Sequence, residues 1–167
     1  MKDSKNSSAS GKRWNLCHPA IFLATGFGVG LLPRAPGTWG SILAVFLSWG
    51  LVHMWGHIAL AIGIILSFSA GVWSSGFCIR NSGIEDPKQV VIDEISGQWL
   101  VLIFVPLDAL NYAMAFVLFR FFDILKPWPI GWVDRTVKGG AGVMVDDILA
   151  AIYAIPILYG MIIWIGN

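Results

Sequence analysis

Between Arg34 and Arg80 the chain carries no Lys, Arg, Asp or Glu. A straight helix through that stretch would measure roughly 68 Å at 1.5 Å per residue, whereas the hydrocarbon core of a bilayer is about 30 Å thick. The stretch is too apolar to coat a soluble domain and too long to cross a membrane once, so it must double back. His53-Met54-Trp55-Gly56-His57 supplies polar, interfacial and flexible residues for a turn, and residues 38–53 and 57–79 are expected to form a helical hairpin. The histidines belong to that turn rather than to a metal site, because nothing acidic lies near them in sequence. Composition agrees with a membrane setting. Of 167 residues, 56% are hydrophobic and only 13% are charged, about half the charge of a soluble domain. Nine Trp and ten Phe suit the aromatic belts of a bilayer protein. A net charge of +1 gives no footprint for nucleic acid. Cys17 and Cys78 form no CxxC pair and are expected to be buried small apolar side chains.

The remaining apolar stretches extend this pattern. Residues 90–107 are apolar apart from Asp93 and Glu94 near the start. Residues 109–125 are apolar apart from Arg120 and Asp123 near the end, and residues 141–165 hold Asp146 and Asp147 near the start and no charge afterwards. Residues 19–32 are short and interrupted by Gly26, Gly28 and Gly30. If that segment does not cross, all 11 Lys and Arg fall on or near one face: Lys2, Lys5, Lys12 and Arg13 in the tail, then Arg34, Arg80, Lys88, Arg120, Lys126, Arg135 and Lys138. The positive-inside rule makes that face cytoplasmic. The expectation is an all-α membrane helix bundle of about five spans, with the N-terminus inside and the C-terminus outside. Residues 19–32 are then a re-entrant or interfacial element. Residues 1–14 read as a polar, flexible tail without the pattern of a signal peptide, and 15–167 as one membrane-embedded domain.

Acids inside membrane segments cost about 2.5–3.5 kcal/mol each on insertion scales. Under this topology five of them, Asp93, Glu94, Asp123, Asp146 and Asp147, arrive on three helices at one depth near the cytoplasmic boundary. Five carboxylates there repel one another and require cations or protons. Hard divalent cations such as Mg²⁺ take oxygen ligands and commonly combine one or two carboxylates with water and a substrate phosphate. The competing readings are structural pairing, such as Arg120 with Asp123 three residues on or an Asp134–Arg135 turn, and a proton or ion pathway. Two glycine-rich stretches add phosphate-binding character. One leads into Arg34, Thr38 and Ser41 at the start of a helix, where N–H groups and an arginine favour an anion. The other, Lys138-Gly139-Gly140-Ala141-Gly142, runs into Asp146-Asp147. The alternative for each is a plain loop with close helix packing.

Together the stretches GFGVGLLPRAPGTWGS (26–41), IDEISG (92–97) and FRFFDILKPWPIGWVDRTVKGGAGVMVDD (119–147) resemble the phosphatidylglycerophosphatase A family. The resemblance implies an all-helical, Mg²⁺-dependent enzyme of the bacterial inner membrane. Such an enzyme removes the terminal phosphate of phosphatidylglycerophosphate in phospholipid biosynthesis. Residue chemistry suggests the roles. Asp93, Glu94, Asp146 and Asp147 are the expected ligands of Mg²⁺. Arg34, Thr38, Arg120, Lys126, Arg135 and Lys138 are the expected phosphate contacts. Asp123, Asp147 and Arg34 form the expected catalytic group, with Asp123 either a further ligand or a base that orients water. The expected partners are an anionic phospholipid substrate and the surrounding membrane lipids. The rivals are a lipid phosphatase of broader range, acting on phosphatidic or lysophosphatidic acid, a small proton or ion transporter, and a non-catalytic assembly partner. Clustering at one interface argues against a transporter, since a pathway should place polar groups across the whole thickness.

Overall fold

The computed structural model describes residues 14–166. The polar tail, with Lys2, Lys5, Lys12 and Arg13, lies outside the described residues apart from Trp14. Among the described residues all regular structure is helical: α1 (Pro19–Ala24), a single 3₁₀ turn (Val29–Leu31), α2 (Pro36–Ser82), α3 (Ile92–Leu102), α4 (Ala109–Leu125), α5 (Ile130–Thr136) and α6 (Gly139–Gly166).

The 47 residues of α2 are broken at Gly56, whose φ of 75° and ψ of −177° leave the helical region. Glycine reaches that conformation without steric cost. The break is a reversal. Trp99 donates its indole N–H to the Ala44 carbonyl at 2.8 Å, and the same ring lies 2.9 Å from where a Cβ on Gly63 would sit. Ala44 and Gly63 would be about 28 Å apart on a straight helix, so the two arms, residues 36–55 and 57–82, must lie side by side along α3. The expected hairpin forms, each arm running a few residues beyond its expected bounds, because Pro36 is tolerated at the helix start and Gly83, with φ 76°, ends the second arm.

The segment expected as a helix over 90–107 is helical only over 11 residues, Ile92–Leu102. At about 17 Å that helix falls short of a bilayer core. Its start is fixed where Val91 donates its N–H to the Ala24 carbonyl at 2.8 Å. Its end comes before Pro106, which cannot continue a helix and disfavours the helical region for the residue ahead of it. The segment nevertheless reaches the far end of the hairpin, where the Val105 carbonyl is 3.3 Å from the His57 ring nitrogen. That contact gives His57 a place in the turn. α4 occupies the expected 109–125, capped by the Asp108 carboxylate, which accepts from the Asn111 N–H at 2.9 Å. Six residues make up α1, about 9 Å, too short to cross a bilayer.

The principal core gathers Ala44, Leu60, Trp99, Leu102, Phe119 and Leu158 from both arms of α2, α3, α4 and α6. Large apolar side chains also cover much of the outside: Phe46 is 72% exposed, Ile58 77% and Trp164 82%. Exposed apolar surface on this scale requires an apolar surrounding or partner. Two helices, Pro36–Ser82 and Gly139–Ile165, are long and apolar enough to cross a membrane. Cys78 is buried as expected, but Cys17 is exposed because it lies in the turn ahead of α1, outside the packed helices.

Candidate active site

The starts of α3 and α6 and the end of α4 converge on a cavity of about 1080 Å³. α3 presents Asp93 and Glu94 in its first turn, where the partial positive charge of a helix N-terminus favours carboxylates. α6 brings Asp146 and Asp147 in from a close crossing with α2. A Cβ on Gly140 would collide with the Val72 carbonyl and Gly76, so a larger residue there would push α6 away. On the opposite wall a Cβ on Gly37 would strike the Glu94 carboxylate and lie 3.2 Å from the Arg120 guanidinium. Glycine at this position leaves Glu94 room to turn inward.

Ligand oxygens of Asp93, Glu94 and Asp147 all lie within 4.8 Å of one another. Glu94 Oε2 and Asp147 Oδ2 are buried and have no hydrogen-bond partner. A buried carboxylate oxygen without a donor is costly, and three carboxylates at this spacing call for positive charge. A donor set of carboxylate oxygens fits a hard divalent cation such as Mg²⁺. Asp123 adjoins Asp147 and is paired with Arg120 at 2.5 Å. Arg120 also approaches Glu94 at 3.7 Å and the Ser41 hydroxyl at 3.5 Å. The arginine fixes two acids from one side and leaves their other faces to the cavity.

Asp146 stands apart from the trio. Its carboxylate accepts from Lys126 at 2.6 Å, and the same ammonium donates to Asp134 at 2.8 Å. Adjacent residues on a helix point about 100° apart, which sends Asp147 to the acids and Asp146 to the lysine. Burial alone would lower the Lys126 pKa, but Asp146 and Asp134 outweigh it and hold the pKa above the ordinary lysine value. Lys126 is therefore charged at neutral pH. It ends α4 in the left-handed region, with φ 42°, a conformation uncommon outside glycine. Arg34 and Ala35, with φ 67° and 48°, form a second such bend that brings Arg34 to the cavity at the foot of α2.

The cavity gathers nearly all the residues singled out in the sequence: Asp93, Glu94, Asp123, Asp146 and Asp147, with Arg34, Arg120, Lys126, Arg135 and Lys138. Thr38 is half-buried and does not line it. Three cations expected to face phosphate already have carboxylate partners: Arg120, Lys126, and Lys138, which binds Glu85 at 2.8 Å. Arg34 and Arg135 line the cavity without an ion pair to any described residue, and so does Lys88, to which the sequence reading gave no role. Glu85, Asp86 and Asp134 are further lining residues missed in the sequence. The hydrophilic run Glu85-Asp86-Pro87-Lys88 shortly before Asp93 was the available signal for the first two. Asp134 and Arg135, for which a structural turn was the competing reading, lie within the helix α5.

Comparison with known proteins follows the same residues. A family model described as phosphatidylglycerophosphatase A matches residues 22–162. The phosphatidylglycerophosphatase A of Haemophilus influenzae is 39% identical over 92% of this chain and 94% of its own. The enzyme of the same name from Escherichia coli is 36% identical over 93% and 90%. A Bacteroides thetaiotaomicron relative, provisionally named a phosphatidylinositol-3-phosphatase, is 38% identical over 87% of this chain and 94% of its own. No solved structure matches.

Proposed function

The chain belongs to the phosphatidylglycerophosphatase A family, and from that premise we propose a cation-assisted attack of water on the terminal phosphomonoester of phosphatidylglycerophosphate. The protein is a phosphatase, and the products are phosphatidylglycerol and inorganic phosphate. The observation that carries the mechanism is the buried trio Asp93, Glu94 and Asp147, with ligand oxygens within 4.8 Å of one another and one oxygen each of Glu94 and Asp147 lacking any donor.

In this reading Asp93, Glu94 and Asp147 hold Mg²⁺, which when bound neutralises phosphoryl charge and makes water more acidic. Arg34, Lys88 and Arg135 receive the phosphate from the cavity side. All three are exposed and have no ion pair to any described residue, so the phosphate meets no competing carboxylate on them. Asp123 orients the attacking water and takes its proton, while Arg120 keeps that carboxylate and Glu94 in register. Asp123 passes that proton to the departing glycerol oxygen as its bond to phosphorus breaks, so the products are the alcohol and hydrogen phosphate. Lys126 holds Asp146 and Asp134 and shapes the wall beside Asp147. Lys138 joins the phosphate contacts on release from Glu85.

We place the cavity at the cytoplasmic face of a bacterial inner membrane, with five passes formed by the two arms of α2, the 92–107 segment, α4 and α6. Charge bias and the exposed apolar belt support that placement. The headgroup then meets the acids at the interface while the acyl chains stay in lipid.

The test is phosphate release by the purified protein in detergent, across phosphatidylglycerophosphate, phosphatidic acid, lysophosphatidic acid and phosphatidylinositol 3-phosphate, with Mg²⁺ or with excess EDTA. Mg²⁺-dependent release with phosphatidylglycerophosphate preferred is expected. Undiminished release in EDTA would remove the cation from the mechanism. Equal rates across the panel would favour a broader lipid phosphatase, a second reading to which the name of the Bacteroides relative lends weight.

A further inference from the structure

A second cavity, of about 440 Å³, lies between the first arm of α2 and α4. Ile42, Val45 and Trp49 form one wall, and Tyr112, Ala113 and Phe116 the other, with the exposed Phe46 at its lip. The helical repeat ties this groove to the phosphate cavity. On α4, residues 109, 112, 113, 116, 120 and 123 recur at intervals of one, three or four, so they share a face. The wall of the groove therefore continues into Arg120 and Asp123. On α2, Thr38 precedes Ile42 by one turn on the same face, and Ser41 next to Ile42 is the residue that Arg120 approaches at 3.5 Å. The groove runs about 10 Å along the helix from Ile42 to Trp49, away from the acids. Toward its far end Trp49 meets Tyr112 edge-on, with ring centroids 5.2 Å apart.

The substrate joins its phosphate to two acyl chains through a short glycerol linkage. With the phosphate among the acids, a chain must leave the cavity along some apolar route. On the α4 face that carries Arg120 and Asp123, that route is this groove. Resting on the phosphatase reading above, we propose that the groove between α2 and α4 binds one acyl chain of the substrate lipid, with Thr38 at the junction of headgroup and chain. In the bilayer placement proposed above, bulk lipid bathes every exposed apolar face between the two interfaces. The groove differs in leading, within one helical turn, to the residues that hold the headgroup. Ala109 and Ala113 leave the α4 wall open where larger side chains would fill it.

The experiment compares kcat/KM for long-chain and dihexanoyl phosphatidylglycerophosphate. Ala113 is exposed, so Ala113→Phe fills the groove without entering the core. The long-chain to short-chain ratio is expected to fall about tenfold or more, the effect of taking some two methylenes out of apolar contact. Ile58→Phe, at an exposed site on the second arm of α2 that does not line the groove, should leave the ratio as in the unaltered protein. Equal ratios for the two variants overturn the proposal. If Ala113→Phe is inactive on both substrates, photocrosslinking of the unaltered protein with a lipid bearing a diazirine on its acyl chain decides. Label within 42–49 and 109–116 supports the groove, and label confined to other segments overturns it. An unaltered protein that releases no phosphate at either chain length sinks the phosphatase reading itself, whereas an active enzyme with an unshifted ratio sinks only the groove.

Discussion

Asp146 and Asp147 are neighbours in sequence, buried on one turn of one helix, yet they belong to two differently built halves of the same cavity. Around Asp146 the protein supplies its own cation: Lys126 bridges Asp146 and Asp134 at 2.6 and 2.8 Å, although Asp146 Oδ1 is left without a partner. Around Asp147 it does not. Asp93 and Glu94 crowd in, Arg120 serves only Glu94 and Asp123, and Asp147 Oδ2 has no donor. A carboxylate bridged by the chain's own ammonium, as Asp146 is, holds the fold, and one with no ion pair to any described residue, as Asp147 is, stands ready for a cation that arrives. The lysine-centred half is the scaffold against which the acid trio is positioned.

Several changes would break or sharpen that contrast. Asp147→Asn has the largest expected effect. It should lower kcat by at least about 100-fold, the scale of losing a principal electrostatic contact in the transition state. The same change should raise thermal stability in EDTA by on the order of 1 kcal/mol, because it relieves crowding among buried acids. Phosphate release and thermal unfolding of one preparation in detergent check both signs, and a destabilised Asp147→Asn would erase the distinction between the halves. Lys126→Met should act the opposite way on stability. Breaking a buried pair costs 3–5 kcal/mol, and with Lys126 28% exposed a loss of about 2 kcal/mol is expected. Activity should fall by about 10–100-fold through misplacement of the wall behind Asp147.

Asp146→Asn leaves Lys126 with Asp134 alone. A stability loss of about 1–2 kcal/mol and a rate loss within about tenfold are expected, far below the effect at Asp147. Comparable rate losses at the two aspartates would place both in the cation site. Lys138→Ala comes last. Its pair with Glu85 is 56% and 72% exposed, so the stability change should stay within about 0.5 kcal/mol. Any effect on KM should weaken as salt is added.

The residues lining the cavity were largely legible in the sequence, because five acids at predicted helix ends are expensive anywhere but in a shared site. The division of labour among them was not. Sequence spacing shows that Asp146 and Asp147 diverge on a helix, but not which of them meets Lys126, since Asp134 and Lys126 are brought together only by the bend at Lys126 and the helix α5. The doubling back of α2 was readable from its length and from Gly56. The shortness of α3 was not, because apolar residues 103–105 continue the pattern after the helix has ended ahead of Pro106. Thr38 was read toward phosphate from its place at a helix start, yet it lines neither cavity, because position at a helix start does not fix which way a side chain points around the axis.

The most direct test of the central claim measures cation binding without turnover. Mn²⁺, a paramagnetic stand-in for Mg²⁺, is titrated into the purified protein and followed by electron paramagnetic resonance, with Mg²⁺ as competitor. A site displaced by Mg²⁺, kept in Asp146→Asn and lost in Asp147→Asn, is the predicted result. Binding as tight in Asp147→Asn as in the unaltered protein would contradict it.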